Sequence, residues 1–248
     1  MVISLFSLIF LTVSVFFCSI VSGMMGMAGG VLFLGILASF VETAYIVPIY
    51  ATVMAVSSGA RTLLFYKHIN WRIFFRFTLG LLPGALLGIF IFQLLPKDII
   101  KLAMGFFILA MIFLPVSKKE SQLDVWVFLP VGLAAGFFGI FFGASGPLTS
   151  PFYVRQGIIK EAMIGTKSAC SLLEHALKIY LFGMIGINVL DYRTLLIFLV
   201  IAVVPGIYIG KRLLNKISDR TFLIAFRILL FFLAVRIIVL QLYKMVFA

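Results

Sequence analysis

Gly136-Phe-Phe-Gly139-Ile-Phe-Phe-Gly143-Ala-Ser145-Gly146-Pro147 interrupts one apolar run, and Gly23-Met-Met-Gly26-Met-Ala28-Gly29-Gly30 interrupts another half a chain earlier. Glycine and proline punctuate helices, so each stretch closes one helix and leads into a short one. What surrounds them decides where those helices live. Of 248 residues, 64% are hydrophobic, 15% aromatic and only 11% charged, with a mean hydropathy of +1.25. Too few polar side chains remain to make a wetted surface. A soluble enzyme, a secreted disulfide scaffold and a disordered tail are excluded, which leaves an all-α polytopic membrane protein.

Runs long enough for the roughly 20 residues of a bilayer-crossing helix lie at about Val2–Val21, Ala44–Phe65, Ile73–Leu95, Ile99–Val116, Val125–Phe142, Ala162–Leu181, Leu195–Ile209 and Phe222–Leu242. Eight long helices are therefore expected. Two shorter apolar segments, Gly30–Phe40 and Leu148–Val154, follow the glycine clusters and are too short to be full spans. The first run lacks a basic leader and is followed by further spans, so it reads as a retained helix rather than a signal peptide.

The two glycine clusters align with each other, and the matching continues. Ile69-Asn70-Trp71-Arg72 matches Leu190-Asp191-Tyr192-Arg193, Pro83-Gly84 with Gly88 matches Pro205-Gly206 with Gly210, and Leu95-Pro96-Lys97-Asp98 is echoed by Ile217-Ser218-Asp219. The chain thus reads as two homologous halves, 1–118 and 125–248, joined by a loop at 119–124. Paired, Gly/Pro-interrupted short segments at matching positions point to a secondary transporter with a site near the bilayer midplane.

Charge orients the halves. A formal net charge of +12 arises from 20 Lys+Arg against 8 Asp+Glu. Most of the basic residues sit in gaps between apolar runs, where they mark cytoplasmic loops rather than a nucleic-acid surface. One such gap holds Arg61, Lys67, Arg72 and Arg76, and another holds Lys211, Arg212, Lys216 and Arg220. Both can be cytoplasmic, together with Lys118 and Lys119, only if Leu148–Val154 completes a crossing and places Arg155 and Lys160 inside as well. The repeats are then inverted. If the short segments instead dip in and return, one positive loop lies outside and the repeats are parallel.

In this order, the Gly23–Gly30 cluster, Tyr66-Lys67-His68-Ile69-Asn70-Trp71, Pro83-Gly84-Ala85-Leu86-Leu87-Gly88, Gly143–Pro147, Gly165-Thr166 and the Pro205–Gly210 glycines make the chain resemble the TauE/SafE family, the sulfite exporter and related anion permeases. The resemblance covers nearly the whole chain. It implies a multi-pass transporter of the bacterial inner membrane that carries a sulfur-containing or organic anion such as sulfite, sulfoacetate or thiosulfate.

Seven of the eight carboxylates, Glu42, Asp98, Glu120, Asp124, Glu161, Asp191 and Asp219, lie in or next to loops. Glu174 lies roughly 20 Å further along its helix than Glu161, at ~1.5 Å per residue. An ionisable group that deep in a membrane is a functional candidate by default. At about 100° per residue, Lys167, Ser171, Glu174 and Lys178 project from one narrow stripe. Two readings stand. Glu174 and Lys178 form a buried ion pair while Lys167 snorkels to the interface, or the stripe lines a translocation path whose net positive charge draws an anion while Glu174 exchanges a proton. His175, about 60° off the stripe, is a packing residue or a proton relay.

The glycines also divide between two readings. Gly26, Gly29, Gly30, Gly139, Gly143 and Gly146 allow close helix packing, or the helices restarting after Gly30 and Gly146 aim their N-terminal N–H groups at an anion. In the second reading Ser145 and Thr166 are hydroxyl donors to the anion, with Thr52 the counterpart of Thr166. Arg61 is a cytoplasmic gate or a positive-inside anchor. Arg227 and Arg236 snorkel from the last helix. Cys18 and Cys170 sit in apolar runs with no metal-ligand spacing, so neither a disulfide nor a metal is expected, and no cofactor is implied.

The composite expectation is a secondary transporter of a small anion, working by alternating access between two repeats. An intramembrane enzyme would need a nucleophile or metal set with its base, which one His beside one Glu does not supply. A non-transporting membrane subunit would have little reason to bury the polar stripe. No nucleotide-binding loop is present, so hydrolysis of ATP by this chain is unsupported.

Overall fold

The structure, a computed structural model, describes residues 4–25, 28–113, 123–156, 160–213 and 219–247. Gly26, Lys118, Lys119, Glu120 and most of the expected 119–124 connection lie outside the described residues. Among the described residues there is no strand. The α-helices are α1 Leu5–Met25, α2 Ala28–Leu37, α3 Thr43–Leu64, α4 Trp71–Leu94, α5 Lys97–Phe113, α6 Phe128–Phe142, α7 Gly146–Arg155, α8 Lys160–Met184, α9 Arg193–Leu213 and α10 Asp219–Phe247. Each half of the chain runs long, short, long, long, long. The two short members, α2 and α7, have 10 residues each, which is about 15 Å of rise, half the thickness of a hydrocarbon core.

Among the described residues, five helical stretches are long and apolar enough to cross a membrane: Leu5–Ser22, Thr43–Leu64, Trp71–Leu94, Val125–Phe142 and Val189–Gly210. Prolines inside α3, α4 and α9 are tolerated because neighbouring helices and hydroxyl side chains re-satisfy the backbone that they free. Short polar residues set the helix starts. Asn70 Oδ1 accepts from the N–H groups of Arg72 (3.1 Å) and Ile73 (3.3 Å) at the head of α4. Asp124 does the same for Trp126 (2.9 Å) in the turn before α6.

The helices gather into two compact units, each drawing on both halves of the sequence. One contains α1, α2, the N-terminal part of α3, α5, α9 and α10. Within it α9 packs along α1, α5 packs along α10, and α2 packs on both α1 and α10. The other contains the C-terminal part of α3, with α4, α6, α7 and α8.

In this second unit α4 and α6 approach until backbone meets backbone. A Cβ on Gly132 of α6 would stand 2.0 Å from the Phe77 carbonyl oxygen, and one on Gly84 of α4 would stand 2.2 Å from that of Leu133. Only hydrogen fits there, the small-residue contact that drives helix association where lipid removes the hydrophobic gain. Ile73, Phe77 and Leu81 of α4 join Phe128, Val131 and Ala135 of α6, Tyr153 of α7 and Cys170 of α8 in one core. The opposite face of α4 presents Phe75, Leu79, Leu86 and Phe90, each more than half exposed, as a lipid-facing surface requires. Trp71 and Trp126 stay exposed at the helix ends, and the Arg76 guanidinium lies 4.6 Å over the Trp126 ring, a pairing suited to a headgroup layer.

Two of the helix pairs join one helix from early in the chain to one from late in it. In one unit the Pro83-Gly84 helix, from the first half, packs on α6, which opens the second half. In the other the Pro205-Gly206 helix, from the second half, packs on α1, which opens the first.

Candidate functional site

The site lies within the second unit, where α6 breaks and α7 begins. Gly143 has φ 70° and ψ −47°, and across it the Ala144 N–H donates to the Phe142 carbonyl at 2.7 Å. This is a γ-turn of the rare positive-φ kind, open to glycine and strained for other residues. It swings the Gly143 carbonyl out of the helical ladder. There it accepts from Lys178 Nζ at 2.7 Å.

Ser145 precedes α7 but does not cap it with its side chain. Its Oγ donates instead to Glu174 Oε2 at 2.6 Å. In the first turn of α7 the Leu148 and Thr149 N–H groups go to the Ser145 carbonyl (3.0 and 3.1 Å), and Pro147 has none.

On α8, Glu174 is 2% exposed and Lys178 is 1% exposed, one helical turn apart and joined as a salt bridge. The pair is wedged against α6, since a Cβ on Gly139 would lie 2.7 Å from Glu174 Oε1 and 2.9 Å from Lys178 Nζ. Both carboxylate oxygens are therefore taken, one by the ammonium and one by the Ser145 hydroxyl. A buried ion pair is tolerable only when its remaining polar atoms are satisfied in this way.

The expected stripe is realised on α8, and its partners come from the α6–α7 break. Lys167 Nζ donates to Ser150 Oγ at 2.6 Å, and Ser150 in turn bonds the Gly146 carbonyl. Lys167 is half-buried here rather than extended toward an interface. Ser171 is half-buried between these groups on the sequence. His175 is buried, within electrostatic reach of Lys178 and Arg61. Arg61 reaches from α3 to α8, its Nε donating to Ser168 Oγ at 3.3 Å and its Nη2 to Ser58 Oγ at 3.4 Å. Thr166 is fully buried and accepts the Asn70 N–H at 2.8 Å, a helix-to-loop tie.

Gly29, Gly30 and Thr52 belong to the other unit. Gly29 and Gly30 are the second and third residues of α2, which restarts at Ala28, and a Cβ on Gly29 would lie 1.8 Å from the Cys18 carbonyl oxygen of α1. Thr52 back-bonds to the Pro48 carbonyl at 2.9 Å. Arg236, expected to snorkel, is exposed with its guanidinium 5.9 Å from the Phe40 ring centre; the Arg227 side chain lies outside the described residues.

Two contributors escaped the sequence reading of the site. Ser150 and Tyr153 sit on α7, too short for periodicity to orient, whereas Gly139, one of the glycines weighed for packing or for the site, contributes by having no side chain. Tyr153 is 1% exposed, shares its core with Cys170, and lies within electrostatic reach of Glu174. An open pocket of about 570 Å³ in the first unit, lined by Glu42, Tyr45, Leu190, Asp191, Tyr192, Arg193 and Thr194, is a weaker candidate for an anion. Its two carboxylates oppose the single arginine, and Tyr45 already donates to Asp191 at 2.9 Å.

The family model described as sulfite exporter TauE/SafE matches residues 11–237. The chain belongs to that family, whose members are membrane transporters of the sulfite-exporter type and not enzymes. No curated protein and no solved structure is matched.

Proposed function

We propose that this TauE/SafE transporter carries a small sulfur-containing anion, such as sulfite, thiosulfate or an organosulfonate, across the inner membrane by alternating access between two inverted repeats, 1–118 and 125–248. The observation that carries the reading is the buried Ser145–Glu174–Lys178–Gly143 network, which places a cation, a hydroxyl and a carboxylate at a broken helix. A small oxyanion needs converging donors in a dry site. Lys178, Lys167, Ser145, Ser171 and the Gly146 N–H supply them, with Gly143 shaping the turn.

The recurrence of helix lengths in the two halves supports the repeats. So does the reciprocal pairing of α4 with α6 and of α9 with α1. Gly29, beside Gly30, lets α2 restart close against α1, while Thr166 ties α8 to the turn before α4 and Thr52 bonds within α3. Arg61 serves as a gate tied to α8, and Glu174 with His175 serve coupling.

The test is flux of sulfite, thiosulfate, sulfoacetate and sulfate through the purified protein in liposomes. One anion should move with the wild type, and its flux should drop at least about tenfold with Lys178→Ala, as expected on losing a charge-assisted contact. Absence of flux for every anion would end the proposal.

A further inference from the structure

We propose that the transported anion and the Glu174 carboxylate compete for the same two donors, the Lys178 ammonium and the Ser145 hydroxyl, so that a monovalent anion enters together with one proton that lands on Glu174. This rests on the substrate site proposed above and specifies its coupling and the charge of its substrate. Both Glu174 oxygens are engaged by those donors. Gly139 packs against the pair so closely that a single added Cβ would collide with it. An anion therefore binds Lys178 and Ser145 by displacing the carboxylate, not beside it.

The charge balance follows. Glu174 and Lys178 together are neutral, and a bare anion added to them would leave an uncompensated negative charge in a buried site. Lys167 and Arg61 stay cationic whether or not the anion is bound, but they donate to Ser150 and to Ser168 and Ser58, so neither takes the place of Lys178 beside the displaced carboxylate. Tyr153 of α7, with Cys170 and His175 of α8, are the other titratable groups around the pair. The buried faces of α4 and α6 carry none, and Tyr66, Lys67 and His68 in the turn before α4 are exposed.

A proton on Glu174 restores neutrality: ammonium, carboxylic acid and monoanion sum to zero. The protonated acid releases both donors to the anion. On the far side the anion leaves, the proton follows, and the carboxylate retakes Lys178 and Ser145. Transport of a monoanion is then electroneutral, and a dianion would retain an unbalanced charge.

The experiment uses the full chain in proteoliposomes with isethionate, a sulfonate monoanion, and thiosulfate, a dianion, both of fixed charge near neutral pH. Exchange of labelled anion at equal pH reports transport itself, and net uptake under a proton gradient or a potassium–valinomycin potential reports coupling. Wild type should exchange isethionate and accumulate it about tenfold per pH unit of gradient, as one proton per anion requires, with no response to the imposed potential. In Glu174→Gln, net uptake normalised to that variant's own exchange should no longer follow the proton gradient. Isethionate uptake that follows the potential instead of the proton gradient would overturn the inference in the wild type alone, whatever the fate of the variant. So would proton-driven uptake by Glu174→Gln, or exchange confined to thiosulfate, with the transport reading left standing. No exchange of isethionate, thiosulfate or sulfite by wild type would remove both.

Discussion

Taking the ammonium from Lys178 strands the Glu174 carboxylate among apolar neighbours, and breaking a buried pair from one side destabilises by about 3–5 kcal/mol. Lys178→Ala should therefore lower thermal stability in detergent as well as flux. The double change Glu174→Ala with Lys178→Ala should recover much of the stability and none of the flux, because no charge is left unpaired. A double variant as unstable as the single one would deny the pair its structural role. Arg236→Ala should alter neither quantity, since that guanidinium is exposed and rests against Phe40. At this scale Glu174 was legible because seven carboxylates sit near loops and one does not. Lys167, Ser171 and Lys178 followed from helical spacing. Ser145 as a donor to Glu174 was not legible, because the two are joined only by the fold.

Helix ends and helix contacts carry a different kind of information. Gly143→Ala must take a φ of 70°, which costs about 1–3 kcal/mol for a residue with a side chain. It should also reduce flux by pulling the carbonyl away from Lys178, a combination that thermal unfolding and liposome flux would reveal together. Gly84→Ala drives a methyl into the Leu133 backbone and should destabilise by about 1–3 kcal/mol or more. Gly183→Ala on α8 meets nothing within 4 Å and should stabilise by about 0.5–1 kcal/mol. Equal effects of the two substitutions would contradict the close α4–α6 contact. The apolar runs located the eight long helices and both short ones to within a few residues, since length and hydropathy are local properties. Which helix packs on which was not local, and neither was the γ-turn, which exists only through the meeting of the Phe142 carbonyl with the Ala144 N–H.

For the molecule as a whole, orientation is the property that sequence charge addresses most directly. A reporter fused after Arg155 should lie on the cytoplasmic side. A periplasmic signal would make α7 a dip rather than a crossing and the repeats parallel. The site also bears on how the protein is made. Lys167, Glu174 and Lys178 would each resist entry into lipid alone. The groups that α8 meets, Arg61, Asn70, Gly139, Gly143, Ser145 and Ser150, all precede it in the chain, and synthesis delivers them first. Glu174 and Lys178, one turn apart on the same helix, can leave the ribosome already matched in charge. During biogenesis the helix that carries this buried ion pair thus emerges last among the helices of its unit, after the donors and carbonyls that receive it.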